Sequence, residues 1–223
     1  MADPEYKKES DLSPFTPVLV DKIRAVTSAG VSGNILISTL LSSLGIAQYE
    51  IIDGVTYHKL WIAGWKPTLT NGCTASDQIE MGTNKNVYDY LAFDPATIQY
   101  AYANFLLPYE YSGGAVYAKF AWTHPATTTN FGVSWGLQGV CIADSTILDV
   151  AQGTAVYAND TGGNTSYLYV SPMSGAITLG GTPEAGKLCQ LRAQRYSTDA
   201  TNDTLAVNAY LLGVMIYYPV VQI

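Results

Sequence analysis

The feature that most constrains this chain is a period of two in its apolar residues, sustained from residue 50 to the C-terminus. Side chains repeat direction every second residue in a strand and about every 3.6 residues in a helix, so the pattern selects strands. "AVYAKFAWT" puts Val116, Ala118, Phe120 and Trp122 on one face, and "FGVSWGLQGVCIA" does the same for Phe131, Val133, Trp135, Leu137 and Cys141. "GVTYHKLWIAGW" groups Val55, Tyr57, Trp61 and Trp65 against Leu60 and Ile62, while "IQYAYANFLLP" alternates tyrosines with Ala and Phe105. "TSYLYVS", "KLCQLRAQRYS" and "TLAVNAYLLGVMIYYPVV" continue the alternation. Turn signals separate them: "TNG" at 70, "FDP" at 93, "YSGG" at 111, "DTGGN" at 160, "GGTPEAG" at 180 and "STDATND" at 197. About eight such strands and no long helical pattern predict an all-β antiparallel β-sandwich or jelly roll over residues 51–223. The last strand is apolar on both faces, which predicts a central position or a covering subunit.

Residues 1–50 read differently. Nine charged residues fall in the first 24 positions, and none follows until Glu50. Pro4, Pro14 and Pro17 favour an extended start, a short strand is expected near Val18–Val26, and Ser38 is placed to cap a short helix that Gly45 ends. This is too little to fold alone, so the expectation is a mostly extended attachment segment that docks on a partner. The uncharged run from Ala25 to Ala47 holds seven Ser/Thr, three Gly and an Asn. Its dense apolar part is about ten residues, short of the roughly 20 a spanning helix needs, so no membrane insertion is expected.

Composition narrows the partners. Charged residues make up 13% of the 223 residues, against roughly 25% in ordinary domains. Such a neutral polar surface suits assembled β-proteins, whose subunit contacts are depleted in charge. The net charge is −7 and the 11 basic residues are scattered, so no stripe exists that could track phosphates; nucleic-acid binding is not expected. "MADPEYKKESDL" carries no apolar run of the secretory kind. On that basis Cys73, Cys141 and Cys189 are expected to be reduced, buried thiols.

Catalytic and metal patterns are weak. "WTHPATTTNFGVSWGLQGVCIAD" contains His124, Ser134, Cys141 and Asp144. However, Ser134 lies in an alternating strand rather than on a strained G-x-S-x-G elbow, so strand placement is the expectation and no catalytic residue is assigned. Glycoside hydrolysis needs two carboxyl groups about 5 to 9.5 Å apart. Most of the twelve acids after Glu50 sit in turns, where Asp normally bonds its own backbone. Two histidines, His58 and His124, and cysteines without finger spacing argue against a metal site. No phosphate-binding glycine motif is present, so no cofactor is expected.

The aromatic content offers a binding reading. Tyrosine presents a flat apolar face with a polar handle, which suits sugar rings. Tyr109, Tyr111, Tyr157, Tyr167 and Tyr169 lie in or beside expected loops and form the candidate glycan contacts. The same side chains also suit sandwich strands and subunit contacts, and the sequence leaves both readings open.

One combination of motifs is more specific. Trp122 and His124 precede Asn130–Gln138; then come Asp160–Gly163, Gly181–Gly186, Arg195 with Asp199, Asp203–Leu205, and Gly213 with Tyr217. With "LTNGC" at 69 and "LAFDP" at 91, these residues resemble a group of tailed-bacteriophage virion proteins ending in a jelly-roll-like β-sandwich. The resemblance spans residues 55 to 220, and the N-terminal segment is more loosely similar to attachment segments of phage fibres. It implies a structural protein of the virion surface, a homotrimeric fibre, spike or head decoration, folded in the host bacterial cytoplasm. Residues 1–50 would attach it to capsid or tail proteins, with the sandwich projecting outward. The alternative it carries is a receptor- or glycan-binding module of a tail fibre.

Overall fold

The computed structural model describes residues 49–125 and 130–220. The strand expected at 18–26 and the helix expected after Ser38 lie outside the described residues. The chain divides into two units, Met1–Gly54 and Val55–Ile223. In the first, the described residues form strand β1 (Tyr49–Ile52), followed by Asp53 and Gly54 at positive φ.

The second unit is all-β, with no helix among its described residues. One sheet contains β2 (Val55–Ile62), β4 (Asp77–Glu80), β5 (Val87–Phe93), β7 (Tyr117–Thr123), β10 (Tyr169–Val170) and β13 (Ala209–Pro219). β13 is its axis: β7 runs along one side, and β2 and β5 share the other. The expected central place of the last strand is what the structure has, with both its edges paired. The other sheet contains β3 (Lys66–Pro67), β6 (Gln99–Leu106), β8 (Phe131–Ile142), β9 (Val156–Gly162), β11 (Gly180–Gly181) and β12 (Leu188–Arg195). Its order is β8-β12-β6-β3, with β9 and the two-residue parallel β11 sharing the remaining edge of β8.

The sheets meet through the inward residues of the alternation. Trp135 of β8 lies edge-on to Phe93 of β5 (5.2 Å between centroids) and stacked with Phe120 of β7 (5.9 Å). Trp122 and Trp135 are fully buried; truncating a side chain of this kind typically costs about 3–5 kcal/mol. The free edge of β7 is closed by the segment after β10. Ser171 and Ser174 donate their amides to Phe120 and Ala118, and their hydroxyls accept the amides of the same two residues. Pro172 cannot donate to a ladder, so serine side chains complete the pairing and leave no open edge there.

Four local expectations change. Trp65 lies beyond the end of β2, buried, with its Nε1 donating to the Ile62 carbonyl (2.9 Å). "DTGGN" is not a turn at its start: β9 continues to Gly162, held by the Asp160 carboxylate accepting from Trp122 Nε1 (2.8 Å). The last strand begins at Ala209 rather than Thr204, because the amides of Thr204 and Leu205 are committed to the Gly132 carbonyl. The thiol expectation is corrected as well. Cys141 and Cys189 face each other in register on β8 and β12 and form a disulfide, while Cys73 is free and buried.

Candidate functional site

The outer face of the second sheet is built by two strands whose sequences alternate small or apolar residues with large polar ones. In β6, Ala101 and Ala103 point into the core, so Tyr100, Tyr102, Asn104 and Leu106 point out. In β12, Cys189, Leu191 and Ala193 are inward, so Leu188, Gln190, Arg192 and Gln194 are outward. The register sets Tyr100 opposite Gln194, Tyr102 opposite Arg192, and Asn104 opposite Gln190. Neighbouring strands extend these rows: Lys66 of β3 pairs with Tyr102, Gln138 of β8 with Arg192, and Gly136 of β8 stands between Gln194 and Tyr157 of β9.

The groups on this face hold one another. Arg192 lies over the Tyr100 ring, 4.6 Å from its centroid. Gln138, with its amide oxygen toward the guanidinium, accepts from Arg192 Nε (2.8 Å) and from Nη2. Gln194 Nε2 donates to the Tyr157 hydroxyl (2.6 Å), and the Tyr157 ring stacks on Tyr196 (4.8 Å). Gln190 Nε2 donates to Asn104 Oδ1 (3.3 Å) and its oxygen accepts from Gln152 (3.2 Å). Burial first, and the neighbouring Tyr196 next, push the Tyr157 hydroxyl above its ordinary value of 10.0, so it keeps its proton.

Two rims turn the face into a trough of 960 Å³, whose floor includes Tyr100, Tyr102, Asn104, Gln190 and Arg192. One rim is the Thr68–Asn71 loop and the other includes Asp149. The first rim is anchored to the floor strand. The Tyr100 amide donates to the Asn71 carbonyl (2.8 Å), and the Tyr100 carbonyl accepts from the amides of Thr68 and Cys73. Gly72 is required in that loop, since a Cβ there would lie 2.1 Å from the Thr68 carbonyl oxygen. Asp149 is the carboxylate among the trough's lining residues; a general acid and base pair for glycosidic cleavage would need a second one at about 5 to 9.5 Å.

The sequence-derived candidates are dispersed. Tyr157 belongs to the outer face, 37% exposed. Tyr109 (89% exposed) and Tyr167 (59%) project from other loops, away from the trough's lining. Tyr111 is 5% exposed, with its hydroxyl donating to the Gly114 carbonyl (2.6 Å). The Tyr169 ring packs on Trp122 and His124, and its hydroxyl accepts from the Gly163 amide and donates to the Asn164 carbonyl. Tyr111 is thus buried in the sandwich, and Tyr169 is half-buried with its hydroxyl tied to the Gly163–Asn164 backbone.

The nucleophile candidates are likewise occupied. Ser134, on the outer face of β8, donates to Asn159 Oδ1 (2.8 Å), whereas His124 packs on Phe131 of the inner face. Cys141 is in the disulfide and Asp144 is exposed. Among the described residues no cluster of three or more His, Cys, Asp or Glu is positioned to hold a metal. No described helix is long and apolar enough to cross a membrane.

Tyr100, Tyr102, Asn104, Gln190, Arg192 and Gln194 were missed as site residues by sequence reasoning directed at loops. The available signal was the outward half of "YAYAN" and "QLRAQ", which is wholly polar or aromatic while the inward half is Ala or Leu.

No family model matches the chain, and no curated protein matches it. Several solved β-domains are similar over about 70% of it. The CBM22-2 xylan-binding domain of Paenibacillus barcinonensis Xyn10C is 14% identical, with 70% of this chain and 92% of that one covered, at a TM-score of 0.42. A non-crystalline-cellulose-specific carbohydrate-binding module, CBM28, is 16% identical, covering 70% and 85%, at a TM-score of 0.35. TmCBM61, solved with β-1,4-galactotriose, is 11% identical, covering 70% and 90%, at a TM-score of 0.32. All three scores fall below 0.5, and the functional assignment rests on the geometry of the trough.

Proposed function

We propose that the sandwich is a non-catalytic carbohydrate-binding module that holds a glycan across the outer face of its second sheet. The observation that carries this is the interleaving of Tyr100 and Tyr102 with Asn104, Gln190 and Arg192 on the floor of an open trough. A sugar ring has an apolar C–H face and a rim of hydroxyls that both donate and accept. Tyrosine rings meet the first, and amides, which also donate and accept, meet the second. Tyr102 is the ring platform, and roughly 7 Å along the strand Tyr100 carries the Arg192 guanidinium over its ring, so a sugar unit stacked on Tyr102 lies beside hydrogen-bond donors. The floor groups are already tied to one another, which reduces the side-chain ordering that binding must supply.

The test is affinity electrophoresis of the full-length protein through gels containing individual polysaccharides, beside a glycan array. Tyr102→Ala is expected to weaken retention about tenfold or more, while Tyr109→Ala and Tyr167→Ala leave it unchanged. Retention lost only in the two loop variants would move the site to the loops and overturn the trough.

On the sequence resemblance, we further propose that this binding serves attachment to a bacterial cell surface. The sandwich would be displayed on a virion by a homotrimer fixed to capsid or tail proteins through residues 1–50. Light scattering of the full-length chain tests the trimer, and a monomer sinks it.

A further inference from the structure

We infer that the trough selects an anionic glycan, one whose sugar unit over Tyr102 carries a carboxylate or sulfate held between Arg192 and Lys66. This rests on the trough being the glycan site and adds the ligand class. Tyr102 and Arg192 belong to the floor, and Lys66 stands beside it on the edge strand β3. The row across the sheet reads Lys66, Tyr102, Arg192: a tyrosine with a cation at the same register position on each neighbouring strand. Cross-strand neighbours on one face stand about 5 Å apart, so both cations reach the rim of a ring stacked on the tyrosine between them.

Neither cation is neutralised. Lys85, Lys187 and Arg195 each have a carboxylate partner, but among the described residues no carboxylate lies within 4.0 Å of Lys66 or Arg192. Asp149, on the far rim, is the acidic group that faces the same trough. In a chain of net charge −7, two cations without a carboxylate partner beside one platform are a local reversal of sign. Contact charges outweigh the distant ones, because charges beyond a Debye length of about 8 Å are largely screened at physiological salt.

Arg192 is also prepared for its partner. Its guanidinium plane is fixed by the Tyr100 ring beneath and by Gln138 at the Nε edge. A guanidinium has five N–H donors in a planar fork, so donors remain on the Nη1 side for a planar carboxylate or a sulfate. Lys66, exposed on strand β3, supplies the second charge.

The experiment compares polygalacturonate, its carboxyl-reduced neutral counterpart, and dextran sulfate beside plain dextran, by titration calorimetry on the full-length protein at low and high salt. The expected result is that at least one anionic polymer binds about tenfold or more tightly than its neutral counterpart. The gap should shrink in salt and close in Arg192→Gln and Lys66→Gln variants that keep wild-type melting curves. The carboxylate and sulfate arms distinguish the two sources of charge. Equal binding of charged and neutral polymers, with both lost in Tyr102→Ala, overturns the anion inference and leaves the trough standing. Binding that Tyr102→Ala does not weaken overturns the trough reading, and the inference with it.

Discussion

Arg195 and Asp203 form a fully buried ion pair, with Nε 2.9 Å from Oδ2 and Nη2 2.6 Å from Oδ1. The guanidinium also donates to the carbonyls of Phe93, Leu205 and Val207, and Asp203 accepts from the Ser134 amide. One side chain of β12 thereby fixes the end of β5 in the opposite sheet and the whole approach to β13. Asp203→Ala leaves an uncompensated buried charge and is expected to cost about 3–5 kcal/mol. Urea unfolding checks this; a loss under about 1 kcal/mol would mean that the three carbonyls satisfy the arginine unaided.

The Cys141–Cys189 disulfide closes a sequence separation of 48 residues in the inner face of the second sheet. A loop of that size is constrained in the unfolded chain by about 4 kcal/mol, so the Cys141→Ala/Cys189→Ala variant should lose about 2–4 kcal/mol. Thiol titration gives an independent reading. Burial pushes the Cys73 thiol up to about 12, so the native protein should show no reactive thiol. Denaturation should reveal one, and denaturation with reduction all three.

Gly136 lies beneath the Tyr157 ring, and an added Cβ would come within 2.7 Å of that ring and 3.0 Å of Gln194 Cγ. Both neighbours are side chains that can shift, so Gly136→Ala should fold at a cost of about 1–2 kcal/mol. The shift must break the bond between Gln194 and Tyr157, and glycan retention should fall several-fold while the melting curve stays cooperative. Unchanged retention would exclude this end of the face from the site.

Asp94 turns the chain after β5 by accepting from the amides of Ala96 (2.7 Å) and Thr97 (2.9 Å). The Ala96 amide is the main cause holding its carboxyl below the ordinary value of 3.8, with burial opposing. A lowered folded value contributes stability that is present above 3.8 and lost as pH falls through the folded value. The stability difference between wild type and Asp94→Ala should therefore be full at about pH 6 and smaller at about pH 2.5. A difference that grows on acidification would reverse the sign and reject the assignment.

Tyr111→Phe separates packing from recognition. It removes the hydrogen bond to the Gly114 carbonyl and should cost about 1 kcal/mol with no change in glycan retention.

The sequence by itself determined the strands and their two faces, because alternation is local and each residue carries it. It sorted Phe131, Val133, Trp135 and Leu137 inward, and it put Tyr100, Tyr102 and Asn104 on one side of β6 and Gln190, Arg192 and Gln194 on one side of β12. It could also foresee that Asp94 would bond its own turn. Which strand lies beside which was decided only by the tertiary structure. Asn104 and Gln190 are 86 residues apart, and no local pattern states that β6 and β12 are neighbours or that Tyr102 meets Arg192. The same pairing made Cys141 and Cys189 a disulfide, where composition suggested separate thiols, and it turned the Asp203 carboxylate to Arg195 while the Asp203 amide stays bonded to the Asp199 carbonyl of its turn. A period of two fixes the direction of a side chain; its neighbours follow from register between distant strands, which is set by how the whole core packs.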